Sequence, residues 1–296
     1  MATLQSLIGG FINTVPINSD IGWCDSTVNP TMGCDGCELW DKIRKTCYAG
    51  LLHKRFGGVN PGFAPRFEEV TLFPGRMAKA AKWKDLRGQI RPTKPWIPPW
   101  LARTIFMFDM SDGFSKAVSF EFLKKEVIDK VKSPLGQRHM WLWLTKRPGR
   151  MARFSRWIGE SWPRNVAVGT SITTQKTTSR IDELLEVGDA DTVRLLSVEP
   201  QGDQLDLQPW LPRTQWIIQG GESGRIARPF RLEWAYEMID QCREHNVPYF
   251  LKQLGSHVIS DGQRISFNDS SASDWSEWPE DLRIREFPTE FSLEEA

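Results

Sequence analysis

Three of the chain's five cysteines crowd into one short segment, NPTMGCDGCELWDKIRKTCYAG (29–50). Cys34 and Cys37 form a C-x2-C pair, and Cys47 follows after nine intervening residues. Thiolate is the soft ligand that selects zinc or iron–sulfur clusters. A structural zinc site takes four Cys or His ligands, so the fourth here would have to be Cys24 or His53. A three-cysteine site instead leaves one iron of a four-iron cluster without a protein ligand. S-adenosylmethionine (SAM) chelates such an iron through its amino and carboxylate groups. One electron then breaks the sulfonium bond, and the 5′-deoxyadenosyl radical abstracts hydrogen from a substrate, chemistry that side chains alone do not perform. The spacing leaves iron–sulfur, zinc and unligated thiols all open. Cys24 and Cys242 read as packing residues, the latter on the apolar face of a helix. His53 reads as a cap on the helix that follows the cysteines.

Such a loop needs a frame. Six short apolar runs supply one: 104–110, 140–145, 165–171, 193–199, 216–221 and 248–253. Their length and their β-branched and aromatic content suit buried strands. Amphipathic stretches at 120–131, 179–187 and 232–245 read as helices between them. This alternation implies βαβ units and a parallel sheet, expected as a full or partial (β/α) TIM-like barrel, with a doubly wound open sheet as the alternative. Nearly every run ends in polar residues: Asp109, Ser111 and Asp112; Thr145, Lys146 and Arg147; Thr170 and Ser171; Ser197 and Glu199; Glu222 and Ser223; Lys252 and Gln253. In a parallel barrel these ends converge on the face that carries active sites. The bland reading of any one of them is a strand-end cap.

The chain has 296 residues, 40% hydrophobic and 25% charged, an ordinary globular mix that excludes a wholly disordered chain. No apolar run is long enough to span a membrane. The N-terminus lacks a basic start and a cleavage site, so the host cytoplasm is the expected compartment, where disulfides are improbable. Net charge is +1, so a nucleic-acid partner would need a local basic patch. The run TKRPGRMARFSR (145–156) offers one, against the plainer reading of a solvated helix face. Of the fourteen tryptophans, some suit base stacking and most suit the core. Residues 1–255 read as one barrel domain including the 29–50 loop, and residues 256–296 as a peripheral, polar C-terminal extension.

Ordered blocks along most of the chain carry a resemblance. They include WCDSTVNPTMGC (23–34) with TCYAG (46–50), RTIFMFDMSDGFS (103–115), LTKRPGRM (144–151), LLSVEPQ (195–201), IIQGGESGRIARPF (217–230), VPYFLKQLG (247–255) and WPEDLRIREFP (278–288). The sequence resembles the phage Gp37/Gp68 (DUF5131) family of radical-SAM-like proteins. The resemblance implies a barrel of the radical SAM type with a [4Fe-4S] cluster on Cys34, Cys37 and Cys47. Radical SAM enzymes commonly use C-x3-C-x2-C; here the close pair comes first and ELWDKIRKT separates it from Cys47. GGES (220–223) is similar to the element that holds the SAM amino group, although it follows a late strand. The resemblance thus puts Asp109, Ser111, Asp112, Lys146, Thr170, Ser171, Gly220 and Gly221 at the cofactor. Glu199, Glu222, Lys252 and Gln253 remain to orient the substrate as catalytic polar groups. It implies an isomerase acting on an amino-acid-modified thymine in phage DNA, reduced by a partner such as flavodoxin or ferredoxin. A non-catalytic zinc- or cluster-stabilised nucleic-acid-binding protein is the alternative, as is a radical enzyme for a peptide or free nucleotide.

Overall fold

The computed structural model describes residues 18–58 and 60–293. Seven parallel strands form the central sheet: β1 (Ser26–Val28), β2 (Thr104–Met107), β3 (Met140–Thr145), β4 (Val166–Ser171), β5 (Arg194–Val198), β6 (Trp216–Gly220) and β7 (Tyr249–Gln253). Each strand lies beside the next in sequence. A doubly wound sheet reverses its strand order at a switch point; this one never does, so the alternative is excluded and the fold is mixed α/β with a partial barrel. β1, absent from the sequence expectation, is three residues long and mostly polar, too short to show a period. Its place is fixed by Asp25, whose carboxylate accepts from the Thr104 amide at 2.9 Å and pairs with buried Arg91 at 3.2 Å.

Alternation along the strands sorts side chains to two sides. Met140 and Leu142 face an inner core with Leu195, Trp216, Ile218 and Phe250. Trp141 and Trp143 face the outer core beneath the helices. Trp23 spans the interior, its ring 4.7 Å from Phe106 on β2 and 6.4 Å from Trp216 on β6.

Among the helices are α1 (Tyr48–Phe56), α2 (Phe120–Leu123, continuing through a π turn, Lys124–Ile128, into Asp129–Val131), α3 (Pro148–Ile158), α4 (Ser179–Leu185) and α5 (Leu232–Glu244). α3 starts with Pro at its first position, where the ring's fixed φ suits a helix and the missing N–H is no loss.

The C-terminal stretch is polar in composition and integral in packing. Trp278, Leu282, Phe287 and Phe291 are buried. Leu251 N–H donates to Ile284 at 2.9 Å and Glu286 N–H to Tyr249 at 3.0 Å, so this stretch runs antiparallel along the free edge of β7 and covers it.

Candidate functional site

A cavity of about 770 Å³ opens at the C-terminal ends of the strands. Cys34, Cys37 and Cys47 line one side with Asp109, Ser111, Asp112 and Lys146; Glu199, Glu222, Lys252 and Gln253 line the other with Gly221. Ser171 is also on the wall. Two expected residues are not. Thr170 is fully buried and donates to the Thr145 carbonyl at 2.8 Å, which ties β4 to β3. Gly220 sits behind the wall, where a Cβ would lie 3.5 Å from the Glu199 carboxylate.

The insertion between Cys37 and Cys47 is a hairpin. Cys37 and Trp40 exchange backbone hydrogen bonds at 3.1 and 2.9 Å, and Trp40 bridges Lys45. At the tip, Asp41 accepts from the Ile43 and Arg44 amides at 2.7 and 2.6 Å. The Leu39 carbonyl then receives the Thr46 and Cys47 amides, both at 3.0 Å. The chain so returns Cys47 to Cys37 and enters α1, with Cys47 as its N-cap. Trp40 anchors the hairpin against Phe67 and against Gly50, where a Cβ would come within 2.4 Å of the indole.

Two arginines clamp the C-x2-C loop, one just past β3 and one on α4. Arg147, just past β3, contacts Asp35, donates to the Gly36 carbonyl at 2.9 Å and pairs with Asp112 at 2.8 Å. Arg180 of α4 holds Glu38 in a two-pronged fork, both contacts at 2.9 Å. Burial works to raise the Glu38 carboxyl, but the Arg180 fork and then Lys146 override it and lower it to about 2. Asp112 is fully occupied, also accepting from Thr145 Oγ1 at 2.7 Å and from the Lys146 amide at 3.1 Å. It organises the wall rather than offering a free acceptor. Ser111 is likewise engaged, at 2.8 Å from Thr31 Oγ1.

Phe108 turns β2 into this wall with φ +66°, a conformation that costs on the order of 1–3 kcal/mol for a residue with a side chain. Its ring stacks on Trp143 at 5.4 Å, which holds the turn in place. Asp109 beyond it accepts from Asn29 at 2.5 Å and from the Tyr48 hydroxyl at 2.7 Å, and burial pushes its carboxyl up. Tyr48 was not singled out from the sequence; its place directly after Cys47 in TCYAG was the available signal.

Across the cavity, Lys252 Nζ is 2.9 Å from Glu199 Oε2. Lys252 and Gln253 are sequence neighbours that both line the cavity. The register of β7 against β6 shifts between Leu251 and Gln253, and this bulge re-aims them. Gln253 Nε2 donates to the Gly221 carbonyl at 2.9 Å. Gly221 has to be glycine, because a Cβ would meet the Leu254 carbonyl at 2.1 Å. Glu222 is buried and accepts from Arg228 Nε at 2.8 Å.

The basic run 145–156 does not form one patch. Arg147 is in the clamp, Arg150 donates to the Val118 carbonyl at 2.8 Å, and Arg156 pairs with Glu186 at 3.1 Å. The Lys146 ammonium has no hydrogen bond or ion pair among the described residues, and its charge favours the thiolate form of Cys37.

A family model described as protein of unknown function (DUF5131) matches residues 18–279. The chain belongs to this family. No curated protein and no solved structure matches it. The DUF5131 match spans β1 to β7 and every cavity residue named above.

The donor set can be tested against the groups the spacing left open. All five cysteines are free thiols. Burial pushes the Cys34 thiol up to about 11 and raises that of Cys37. A bound cation would therefore be needed to hold both as thiolates. The two candidates for a fourth ligand are engaged elsewhere. Cys24 is fully buried in the inner core, and His53 Nε2 lies 2.7 Å from the Ala64 carbonyl between Phe63 and Phe67. Among the described residues, no three His, Cys, Asp or Glu side chains form a group that could hold a single metal ion. Cys34, Cys37 and Cys47 thus line one cavity without Cys24 or His53, and three thiols are a donor set that an iron–sulfur cluster could use.

Proposed function

We propose that the chain is a radical SAM enzyme of the phage Gp37/Gp68 type, with a barrel of the radical SAM kind and a [4Fe-4S] cluster on Cys34, Cys37 and Cys47. The observation that carries this reading is the sorting of the cysteines. The three from the 29–50 segment line one cavity, while Cys24 and Cys242 are buried in the cores. When bound and reduced, the cluster with SAM on its open iron supplies a 5′-deoxyadenosyl radical. The chain's own part is positioning. Lys146, whose ammonium has no partner among the described residues, suits the methionine carboxylate, and Ser171 offers an acceptor on the cavity wall. Trp23, Phe106 and Phe108 form an apolar floor that keeps water from a radical.

The substrate reading follows from the other wall. The Glu199–Lys252 pair presents one negative and one positive charge 2.9 Å apart, which suits a group carrying both an amine and a carboxylate. That supports an isomerase for an amino-acid-modified thymine in DNA, reduced by a flavodoxin- or ferredoxin-type partner. Glu222 and Gln253 flank the pair and would orient the polar group. A base would have to be flipped out of a duplex to reach it.

Protein purified without oxygen should be brown, with roughly four irons per chain. Cys34→Ala, Cys37→Ala and Cys47→Ala should each lose the cluster, whereas Cys24→Ala and Cys242→Ala should keep it. Reduced protein should convert SAM to 5′-deoxyadenosine and methionine. Colourless anaerobic protein holding one zinc per chain would sink the reading.

A further inference from the structure

The chain's net charge of +1 conceals an uneven distribution. Carboxylates gather in a groove apart from the cavity, lined by Asp203, Asp206, Glu237, Asp240 and Glu244. Cations gather instead on the hairpin tip and the helix it leads into, where Arg55 lines the cavity. The segment from the hairpin tip through α1 carries Lys42, Arg44, Lys45, Lys54 and Arg55 against a single carboxylate, Asp41, which is spent on capping the tip. Lys45 is matched by Glu68 at 3.3 Å. Lys42, Arg44, Lys54 and Arg55 are exposed, and none is in an ion pair among the described residues.

This lip belongs to the site. Tyr48, Leu51 and Arg55 recur at helical spacing along α1 and line the cavity. Lys45 and Lys54 approach the Trp40 ring at 4.4 and 5.1 Å, which sets hairpin and helix side by side. The lip also exposes apolar surface: Ile43 is 95% exposed, with Tyr48 and Leu51 about half so. Across the mouth, Ser223 and Gly224 line the cavity and lead directly to exposed Arg225 and Ile226. Unpaired cations interleaved with exposed aromatic and aliphatic groups match a flexible polyanion that carries flat apolar rings. The cations meet phosphates, and the apolar groups meet unstacked bases.

We propose that the lip formed by residues 41–45 and α1 is the docking surface for the sugar–phosphate backbone of a nucleic-acid strand, one base of which enters the cavity. The inference rests on the DNA-base reading above for the identity of that base, but not on the radical chemistry. Charge complementarity chooses the occupant, and the separate acidic groove disfavours the same polyanion elsewhere on the molecule.

The test is fluorescence anisotropy with the full chain, no cluster or SAM added, and a labelled single-stranded 20-mer of unmodified DNA, over a salt series. Binding should weaken steeply with salt. Lys42→Glu with Arg44→Glu, and separately Lys54→Glu with Arg55→Glu, should each weaken it by roughly tenfold or more and flatten the log–log salt slope by about 1.4, the value for two lost phosphate contacts on a single strand. Glu237→Gln with Glu244→Gln in the acidic groove should change neither. Absence of salt-dependent binding, or equal behaviour of lip and groove variants, overturns the proposal. So does a lip whose reversal spares the oligonucleotide and abolishes a complex with an acidic flavodoxin-type protein. Oligonucleotide binding with lip dependence in a protein that never cleaves SAM would leave the docking surface standing and remove only the radical reading.

Discussion

At the scale of single residues, the site depends on charges that point away from the chemistry. Asp35 and Glu38 are each next to a C-x2-C cysteine in sequence, and each is held by an arginine, one just past β3 and one on α4. Arg180→Gln should therefore free the loop without touching a thiol. Hydrogen exchange over residues 34–47 should rise several-fold, and the protein should retain less iron after anaerobic loading. The same contact predicts a pH effect. The Glu38 carboxyl is lowered in the fold from its ordinary 4.5 to about 2. Its contribution is complete above the unfolded value and is lost as pH falls from about 4.5 through 2. Exchange of the loop should accelerate over that range in the wild type and not in Glu38→Gln. If the two accelerate alike, Glu38 is not the group that titrates. On the facing wall, Glu199→Gln and Lys252→Met should keep full iron content and lower product formation by roughly a hundredfold, the scale of lost orientation. Loss of iron in either would make that pair structural.

At the scale of elements, the hairpin and α1 act as one unit joined by Trp40. Its indole fills the space that a side chain at position 50 would need. Gly50→Ala should push Trp40 aside and cost about 1–3 kcal/mol in denaturant unfolding, the range for overpacking a core. Because Trp40 also closes the Cys37 turn, the variant should load iron poorly even where it remains folded. An unchanged midpoint and normal loading would mean that the hairpin is not held this way. The β7 bulge works in the same manner on the other wall, by letting two consecutive residues reach the cavity.

At the scale of the whole molecule, β1 and β7 are not neighbours in the sheet, and the C-terminal stretch occupies the edge that would otherwise be left exposed. Phe291 is fully buried against Trp216 at 5.4 Å, inside the same core that carries Trp23 at the cavity floor. Phe291→Ala should cost about 3 kcal/mol or more in chemical denaturation. Ending the chain at residue 255 should abolish cooperative unfolding. A soluble, cooperatively folding 1–255 fragment would show that the stretch is an accessory.

The strands after residue 103 were legible because burial on both faces demands continuous apolar runs, and the polar residues ending them mostly line one cavity at the rim. Every expected strand from 104 onward formed, and so did the amphipathic helices. The cysteine spacing named the metal chemistry worth testing. Other features were decided only in three dimensions. β1 forms because Thr104 and Arg91, far along the chain, satisfy Asp25. Asp112 and Ser111 line the cavity and Thr170 lies behind it, and neighbours across strands engage the hydrogen-bonding groups of all three. The basic run 145–156 was similarly dispersed into a clamp, a backbone contact and a surface ion pair. The lip on α1 gave little signal, since its cations are spread through a hairpin and a helix that only Trp40 brings together. Sequence sets which groups exist and which segments must be buried. Which polar groups stay free to act depends on long-range partners, and those are settled by packing.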